Sequence, residues 1–317
     1  MNENISQQRM VPFTKPTLSG NELNAMREAF NEKNFASNGS FSKLAEANLE
    51  EITTSRRARV LNSCTSALET TMLALDLAAG DEVILPSFNF PSAANAVSLR
   101  GAVPVFVDIN PLTMNIDTEL IEAAITKKTR AIVVVHYAGV AAKMDRLMEL
   151  SKKYNTPVIE DAAQAFGAFC GKRPLGSIGA LGALSFHATK NINCSQGGAI
   201  LINDKRFYDS VDIIIEKGTN RREFFGGQVS KYDWNNLGSA YALSELLAAF
   251  LTTQLSKWEY FTSERIVQWQ HYYDELNVRK NDLFDLPKIP RYAKHNGHIF
   301  FIHLKCPKRR DTVLNKL

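Results

Sequence analysis

Short apolar runs alternate with amphipathic stretches along most of this 317-residue chain, and this alternation constrains its fold more than any other feature. The runs typical of β-strands are residues 58–62, 82–86, 103–109, 131–135, 156–161, 180–187 and 197–204. Between two of them, Met144, Leu147 and Met148 have the spacing of one helix face. Strands that alternate with helices predict an α/β fold, with a mainly parallel, doubly wound sheet and helices on both faces.

The alternation stops near residue 240, where the character of the chain changes. Residues 242–276 are typical of a long helix with one break, and a strand-like run follows at residues 298–305. We therefore predict a large domain over residues 1–250. Residues 251–317 are interpreted as the start of a small C-terminal domain that is incomplete.

Composition and charge exclude several classes of protein. A formal net charge of +4 is too small to indicate nucleic-acid binding. No run approaches the roughly 20 apolar residues that a membrane span needs, and residues 1–10 are too polar for a secretory signal. Four scattered cysteines without a C-x-x-C pair favour reduced thiols over disulfides or a zinc site. We expect a cytoplasmic protein without membrane insertion.

The candidate functional residues lie where the predicted strands end. Ligands of open α/β sheets bind beyond the carboxyl ends of the strands. The side chains at these ends are an amine, a carboxylate, hydroxyls at a helix start, an aromatic ring and an amide: Lys190, Asp161, Thr65, Ser66, Ser185, Phe88 and Gln164. Pyridoxal phosphate (PLP) needs an amine for a Schiff base, an anionic partner for its ring nitrogen and an anion site for its phosphate. The set matches these needs.

Each predicted role has an ordinary alternative. Lys190 would form the Schiff base, but a lysine after a strand is usually a solvated charge. Asp161 would hold the pyridine nitrogen protonated, or it caps a helix. Thr65 and Ser66 would bind phosphate together with another hydroxyl, from Ser185, or they are plain helix caps.

The other predicted contacts are with the cofactor ring. Phe88 would stack on this ring, or it belongs to the core. Gln164, three residues after Asp161, would bind the ring hydroxyl.

The histidines give weaker signals. His136 and His187 lie at strand ends, where each either lines the same crevice or forms hydrogen bonds within the fold. His295 and His298 have the spacing of metal ligands, but no third ligand is evident, so no metal site is predicted.

Several longer stretches resemble one known family. They are residues 64–69 (CTSALE), 80–97 (GDEVILPSFNFPSAANAV), 158–168 (VIEDAAQAFGA), 184–192 (LSFHATKNI) and 216–221 (EKGTNR). The chain is similar to the DegT/StrS family of PLP-dependent sugar-nucleotide aminotransferases, which are fold-type I transferases with the aspartate aminotransferase fold. The resemblance gives the seven candidate residues the roles stated above. It also implies a homodimer with shared active sites, to which residues 217–241 would contribute.

The resemblance implies a specific reaction. L-Glutamate would donate an amino group to a nucleotide-linked 4-keto-6-deoxyhexose, such as dTDP-4-keto-6-deoxyglucose. The product would be a 4-amino-4,6-dideoxy sugar nucleotide for a cell-surface polysaccharide, such as lipopolysaccharide or enterobacterial common antigen. Two alternatives stay open: a PLP-dependent sugar dehydratase, although such relatives replace the Schiff-base lysine by histidine, and a truncated, non-catalytic fragment. The chain departs from the family at Ser195 and Gln196, where a Gly-Glu pair is usual.

Overall fold

Seven strands of the fold match the seven predicted apolar runs, whereas the strand-like run at residues 298–305 is a strand only at His303–Leu304. The structure is a computed structural model that describes residue 12, residues 14–279 and residues 283–316, so the polar stretch at residues 1–10 lies outside it. The strands within these residues are β1 (Ala58–Leu61), β2 (Glu82–Pro86), β3 (Val103–Val107), β4 (Thr129–Val135), β5 (Val158–Asp161), β6 (Phe169–Cys170), β7 (Arg173–Pro174), β8 (Leu181–Ser185), β9 (Gly198–Ile202), β10 (Phe284–Asp285), β11 (Ala293–Lys294) and β12 (His303–Leu304).

The central sheet has the mainly parallel arrangement that the alternation predicts. Within the described residues it contains seven strands in the order β1-β9-β8-β5-β4-β2-β3. The pairs β3–β2, β2–β4, β4–β5 and β5–β8 are parallel. Strand β9 is antiparallel to both of its neighbours, so β1 points the same way as β8. The carboxyl ends of all these strands except β9 therefore meet at one edge of the sheet.

Helices cover both faces of this sheet. In chain order the α-helices of the described residues are α1 (Glu22–Asn31), α2 (Ser40–Thr53), α3 (Cys64–Ala74), α4 (Ser92–Ser98), α5 (Thr118–Ala124), α6 (Met144–Tyr154), α7 (Tyr208–Ile215), α8 (Arg221–Phe225), α9 (Glu245–Leu255), α10 (Trp258–Val278) and α11 (Arg310–Leu314). Alternate residues of β4 enter opposite cores: Ile132 joins the core with α6 and α9, and Val133 joins the core with α3 and α4. A strand buried on both faces explains the apolar run there.

The chain beyond residue 240 is held against the large sheet region. The predicted long helix is broken once, between α9 and α10, as expected. Strand β11 then pairs with β6, which lies earlier in the chain, and β10 pairs with β12. The domain boundary at residue 250 stays a prediction. In the part of the chain that the structure describes, no helix is both long and apolar enough to cross a bilayer.

Candidate active site

A cavity of about 620 Å³ opens at the edge where the parallel strands end. The predicted residues that line it are Lys190, Asp161, Thr65, Phe88, Gln164 and Ser185. Ser66, the remaining predicted residue, is buried in the first turn of α3 and does not line the cavity. The ends of β1, β2, β5 and β8 thus bring together side chains that are up to 125 residues apart in sequence, from Thr65 to Lys190.

Asp161 is a buried carboxylate at the cavity. It ends β5, and one oxygen accepts a hydrogen bond from the N–H of Ala163 (3.1 Å), with the thiol of Cys64 at 4.0 Å. Among the described residues no basic side chain forms an ion pair with it. Burial raises the pKa of Asp161. Turns rather than a helix follow it, so the helix-cap alternative is wrong.

Lys190 enters the cavity from a tight turn after β8. Its N–H donates to the carbonyl of His187 (2.8 Å), which reverses the chain just before the lysine. Burial lowers the pKa of the Lys190 amine, while Cys64 and Asp161 oppose this shift. Lys190 is half-buried and shares the cavity with Asp161 without pairing with it. A ligand between the two would therefore meet an amine at one end and a carboxylate at the other.

The start of α3 forms the polar end of the cavity. The Ser63 side chain caps the helix by accepting the N–H of Ser66 (3.0 Å), and the Ser66 hydroxyl donates to Asn62. Thr65 Oγ1 lies 2.8 Å from Ser92 Oγ, at the start of α4. The N–H groups of a first helical turn lack helical acceptors and favour an anion. The capping alternative thus holds for Ser63 rather than for Thr65.

Strand β9 packs tightly behind this helix start. A Cβ placed at Gly198 would lie 2.3 Å from the carbonyl carbon of Ser63. Only glycine permits this approach, which fixes the helix start against the sheet. The GG pair that follows Gln196 in the sequence therefore has a structural reason.

Aromatic rings form one wall of the cavity. The Phe88 ring is 5.1 Å from the Tyr137 ring, which in turn lies 5.8 Å from the ring of Phe301. Phe88 remains 42% exposed, so it faces the cavity rather than the core. The core alternative for Phe88 is therefore wrong, and its ring is free to contact a flat ligand.

Gln164 supports a strained turn beside the cavity. Its Oε1 accepts the N–H of Ala138 (2.6 Å), and Ala138 has a left-handed φ of 56°. Gln164 lines the cavity, and among the described residues no hydrogen bond uses its amide nitrogen. Gln164 can thus donate to a ligand while its oxygen holds the backbone that carries Tyr137.

The two strand-end histidines differ in position. His136 is fully buried between Glu160 (Nε2 to Oε2, 2.9 Å) and the N–H of Ala142 (3.1 Å to Nδ1), and it does not line the cavity. His187 does line it, with Nδ1 3.0 Å from Thr189 Oγ1. Among the described residues no cluster of metal ligands is found.

Sequence reasoning missed part of the lining. The missed residues include Ser63, Asn89, Phe90, Ser92, Tyr137 and Ile299. Phe90 and Ser92 follow Phe88 closely, so the loop after β2 could have been included as a whole. Ile299 had no local signal, because the C-terminal segment reaches the cavity only through tertiary packing.

Comparisons with known proteins agree on the class of protein. The model of the DegT/DnrJ/EryC1/StrS aminotransferase family matches residues 16–317. An aminotransferase from Psychrobacter cryohalolentis is 29% identical, with a TM-score of 0.87, and the match covers 96% of this chain and 81% of that one. The aminotransferase TlmJ from Streptoalloteichus hindustanus is 26% identical, with a TM-score of 0.89 and coverage of 97% and 82%.

A third solved structure carries a cofactor in its description. It is Spr1654 from Streptococcus pneumoniae, a proposed sugar aminotransferase, in its PLP form. It is 24% identical, with a TM-score of 0.86, and the match covers 97% of this chain and 82% of that chain. At this identity the likeness concerns the fold, which is the α/β fold that the alternation predicts.

Proposed function

The chain belongs to the DegT/DnrJ/EryC1/StrS aminotransferase family, and from that membership we propose that it transfers an amino group from an amino acid to a nucleotide-linked keto sugar. The cofactor is pyridoxal phosphate. The sugar-nucleotide substrate follows from the resemblance of the sequence to sugar-nucleotide aminotransferases. The mild positive charge of the chain also suits an anionic sugar nucleotide.

The observation that carries this proposal is the unpaired carboxylate of Asp161. A buried carboxylate without a cation costs free energy, and a protonated ring nitrogen would offset that cost. Lys190, in the same cavity, supplies the amine that the cofactor aldehyde needs. The residues present therefore fit PLP at both reactive ends of its ring.

The remaining candidates suit the other groups of the cofactor. Thr65 and Ser185 hydroxyls, with the N–H groups at the start of α3, would bind the phosphate. Ser66 is a weaker candidate, because its N–H and hydroxyl already bond to Ser63 and Asn62. Phe88 would cover one face of the ring, and Gln164 would donate to the ring hydroxyl.

Two side chains would act during the reaction, Lys190 as the base and Asp161 as the partner of the ring nitrogen. PLP, when bound, supplies an electron sink that makes the α-hydrogen of the amino donor acidic. The free Lys190 amine would take that α-proton, and its lowered pKa favours the neutral form that a base requires. Asp161 would keep the ring nitrogen protonated meanwhile. L-Glutamate as donor and dTDP-4-keto-6-deoxyglucose as acceptor complete the proposal.

We also propose a homodimer with shared active sites. Residues 217–241 include Phe225 and Trp234, which are 70% and 74% exposed. Large exposed aromatic side chains favour a protein contact. The segment leads directly to the active-site loop, since the N–H of Asn62 donates to the carbonyl of Tyr241 (2.8 Å).

The first half of the reaction gives a direct test. PLP-loaded protein is mixed with L-glutamate in single turnover, and the 2-oxoglutarate formed is measured per active site. We expect one equivalent from the wild type and none from Lys190→Ala. A sample that holds PLP on Lys190 but releases no 2-oxo acid from any amino acid donor would contradict transamination. Keto-sugar nucleotides that differ in base and sugar then identify the acceptor by mass of the aminated product.

A further inference from the structure

Three polar residues fasten the C-terminal segment to the loop of Lys190. Asn191, the residue after the lysine, donates from Nδ2 to the carbonyl of Asn296 (2.9 Å). Its Oδ1 lies 2.9 Å from Nδ1 of His298. Asn296 donates in turn to the carbonyl oxygens of Gln164 and Phe166, both at 2.9 Å. The three residues thus connect the lysine loop with the turn that carries Gln164.

The partners fix the direction of each hydrogen bond. Carbonyl oxygens only accept, so the Asn191 amide must present Nδ2 to Asn296 and Oδ1 to His298. An amide oxygen also only accepts, so the proton of the His298 imidazole lies on Nδ1. Asn296 Oδ1 accepts a hydrogen bond from the backbone N–H of His298 (3.1 Å). The network thus permits a single tautomer of His298.

The surroundings keep His298 uncharged. Burial, followed by the positive charges of Lys190 and Arg265, lowers the pKa of His298 to about 3. The imidazole is therefore neutral throughout the pH range in which a PLP enzyme works. A neutral ring adds no charge next to Lys190 and acts through its Nδ1–H alone.

Close packing leaves the network little freedom to move. Asn191 and Asn296 are 4% and 1% exposed. A Cβ at Gly139 would lie 1.8 Å from Asn296 Oδ1, so the turn at residue 139 approaches the amide as closely as glycine permits. The next residue after His298 is Ile299, which lines the cavity. Movement of this segment would change the lysine loop and the cavity wall together.

From this geometry we infer that His298 and Asn191 are positioning residues for Lys190. The Nδ1–H of His298 orients the Asn191 amide, and the Asn191 amide holds the backbone from which the Lys190 side chain reaches the cavity. The inference rests on the proposed function, since it assigns to Lys190 the bond with PLP. Neither residue lines the cavity.

The test compares two substitutions at residue 298. In His298→Asn the side-chain Nδ2 takes the place of the imidazole Nδ1 as donor, whereas His298→Leu keeps apolar bulk without a donor. Misplacement of a reacting group by about 1 Å costs about 100-fold in rate. We expect His298→Leu to lower kcat by about 10- to 100-fold with little change in KM for the amino donor, and His298→Asn to restore most of it.

A spectroscopic readout separates positioning from plain loss of stability. The pH midpoint of the visible absorbance of PLP bound to Lys190 should shift in His298→Leu and return towards wild type in His298→Asn. His271→Leu on α10, an exposed histidine, is the matched control and should change nothing. If both residue-298 variants lower the melting temperature equally but leave kcat and the midpoint unchanged, the inference is overturned.

A second measurement does not depend on the proposed function. Nitrogen-15 NMR of histidine-labelled protein reports which imidazole nitrogen carries the proton. We expect His298 to show a proton on Nδ1, without titration above about pH 5, where an ordinary histidine with a pKa near 6.5 would titrate. A proton on Nε2 would overturn the inference, whether or not the protein transaminates.

Discussion

The two edges of the central sheet each carry a depression, and the placement of charge distinguishes them more than size does. The cavity at the carboxyl ends measures about 620 Å³, and the groove at the opposite edge about 820 Å³. In the groove the basic side chains of Arg56, Lys152 and Lys205 are exposed, and Asp204 is paired with Arg206 at 2.6 Å. These charges are solvated or neutralised.

The cavity differs because its charges are removed from water. Asp161 is 5% exposed and has no ion pair among the described residues, and Lys190 has a pKa lowered by burial. Such an arrangement costs free energy in the folded state and is typical of a functional site. The comparison shows that the larger depression is not the better candidate, since volume says nothing about unpaired buried charge.

The largest expected effect comes from exchanging one lysine in each depression. Lys190→Ala removes the amine that would hold PLP and transfer the proton, so kcat should fall by about 1,000-fold or more. Lys152→Ala in the groove should leave kcat within about twofold, because a surface charge contributes little. Steady-state rates with glutamate measure both. Equal losses in the two variants would remove the distinction between the depressions.

The second largest effect on kcat is expected from replacing the aspartate in the cavity rather than the one in the groove. Asp161→Asn keeps the shape but removes the negative charge, so the ring nitrogen of PLP would lose its partner and kcat should fall by about 100-fold. Asp204→Asn, in the groove, is the matched control and should retain the rate. The PLP content of each purified variant is measured by absorbance. An Asp161→Asn protein with wild-type kcat would contradict the role given to this carboxylate.

The close packing behind the cavity provides a third test, on stability. Gly139 and Gly171 both have positive φ, of 77° and 60°, but only the Cβ of an alanine at residue 139 would meet another residue, at 1.8 Å from Asn296 Oδ1. Gly171→Ala should cost about 1 kcal/mol from backbone strain alone. Gly139→Ala should cost about 1 to 3 kcal/mol more through overpacking. Urea unfolding measures the difference in unfolding free energy. Equal losses in the two variants would show that Asn296 moves to accommodate the added methyl group.

The sequence predicted the strand framework well because the strands carry their signal locally. The run at residues 131–135 is apolar throughout since both faces of β4 are covered. That Lys190 and Asp161 lie together was also predictable, because the carboxyl ends of parallel strands converge at one edge of the sheet. His136 and Tyr137 show the limit of this reasoning: the chain turns between them, and only Tyr137 lines the cavity.

Contacts made by tertiary packing could not be predicted. In the sequence, His298 was considered only because His295 and His298 have the spacing of metal ligands. In the fold its hydrogen-bond partner is Asn191, 107 residues earlier. Nothing in the spacing of residues 295 and 298 indicates that partner. Ser66 was selected with Thr65 as one of two adjacent hydroxyls, but the helix turns it away from the cavity.

The smallest expected effect concerns stability as a function of pH. Burial raises the pKa of Asp161 in the folded protein above its unfolded value of about 3.9. Between these two pKa values the folded apoprotein binds more protons than the unfolded chain, so its unfolding free energy falls as pH rises, by at most about 1.4 kcal/mol per pH unit. Relative to Asp161→Asn, the apoprotein should therefore lose stability from about pH 4 upwards, and PLP should reduce that loss.

Asp204 should behave with the opposite sign. The hydrogen bond from Arg206 lowers the pKa of Asp204, against a smaller effect of burial. A carboxyl group with a lowered pKa stabilises the fold at pH values above its unfolded pKa, and this stabilisation is lost as the pH falls. The melting temperature of the wild type should therefore exceed that of Asp204→Asn at neutral pH, and the two should converge in acid. Melting temperatures of the apoproteins from about pH 3 to 8 test both signs. If the melting temperatures of wild type and Asp161→Asn change with pH in parallel, the burial of Asp161 does not destabilise the fold. The main contrast between the cavity and the groove would then fail.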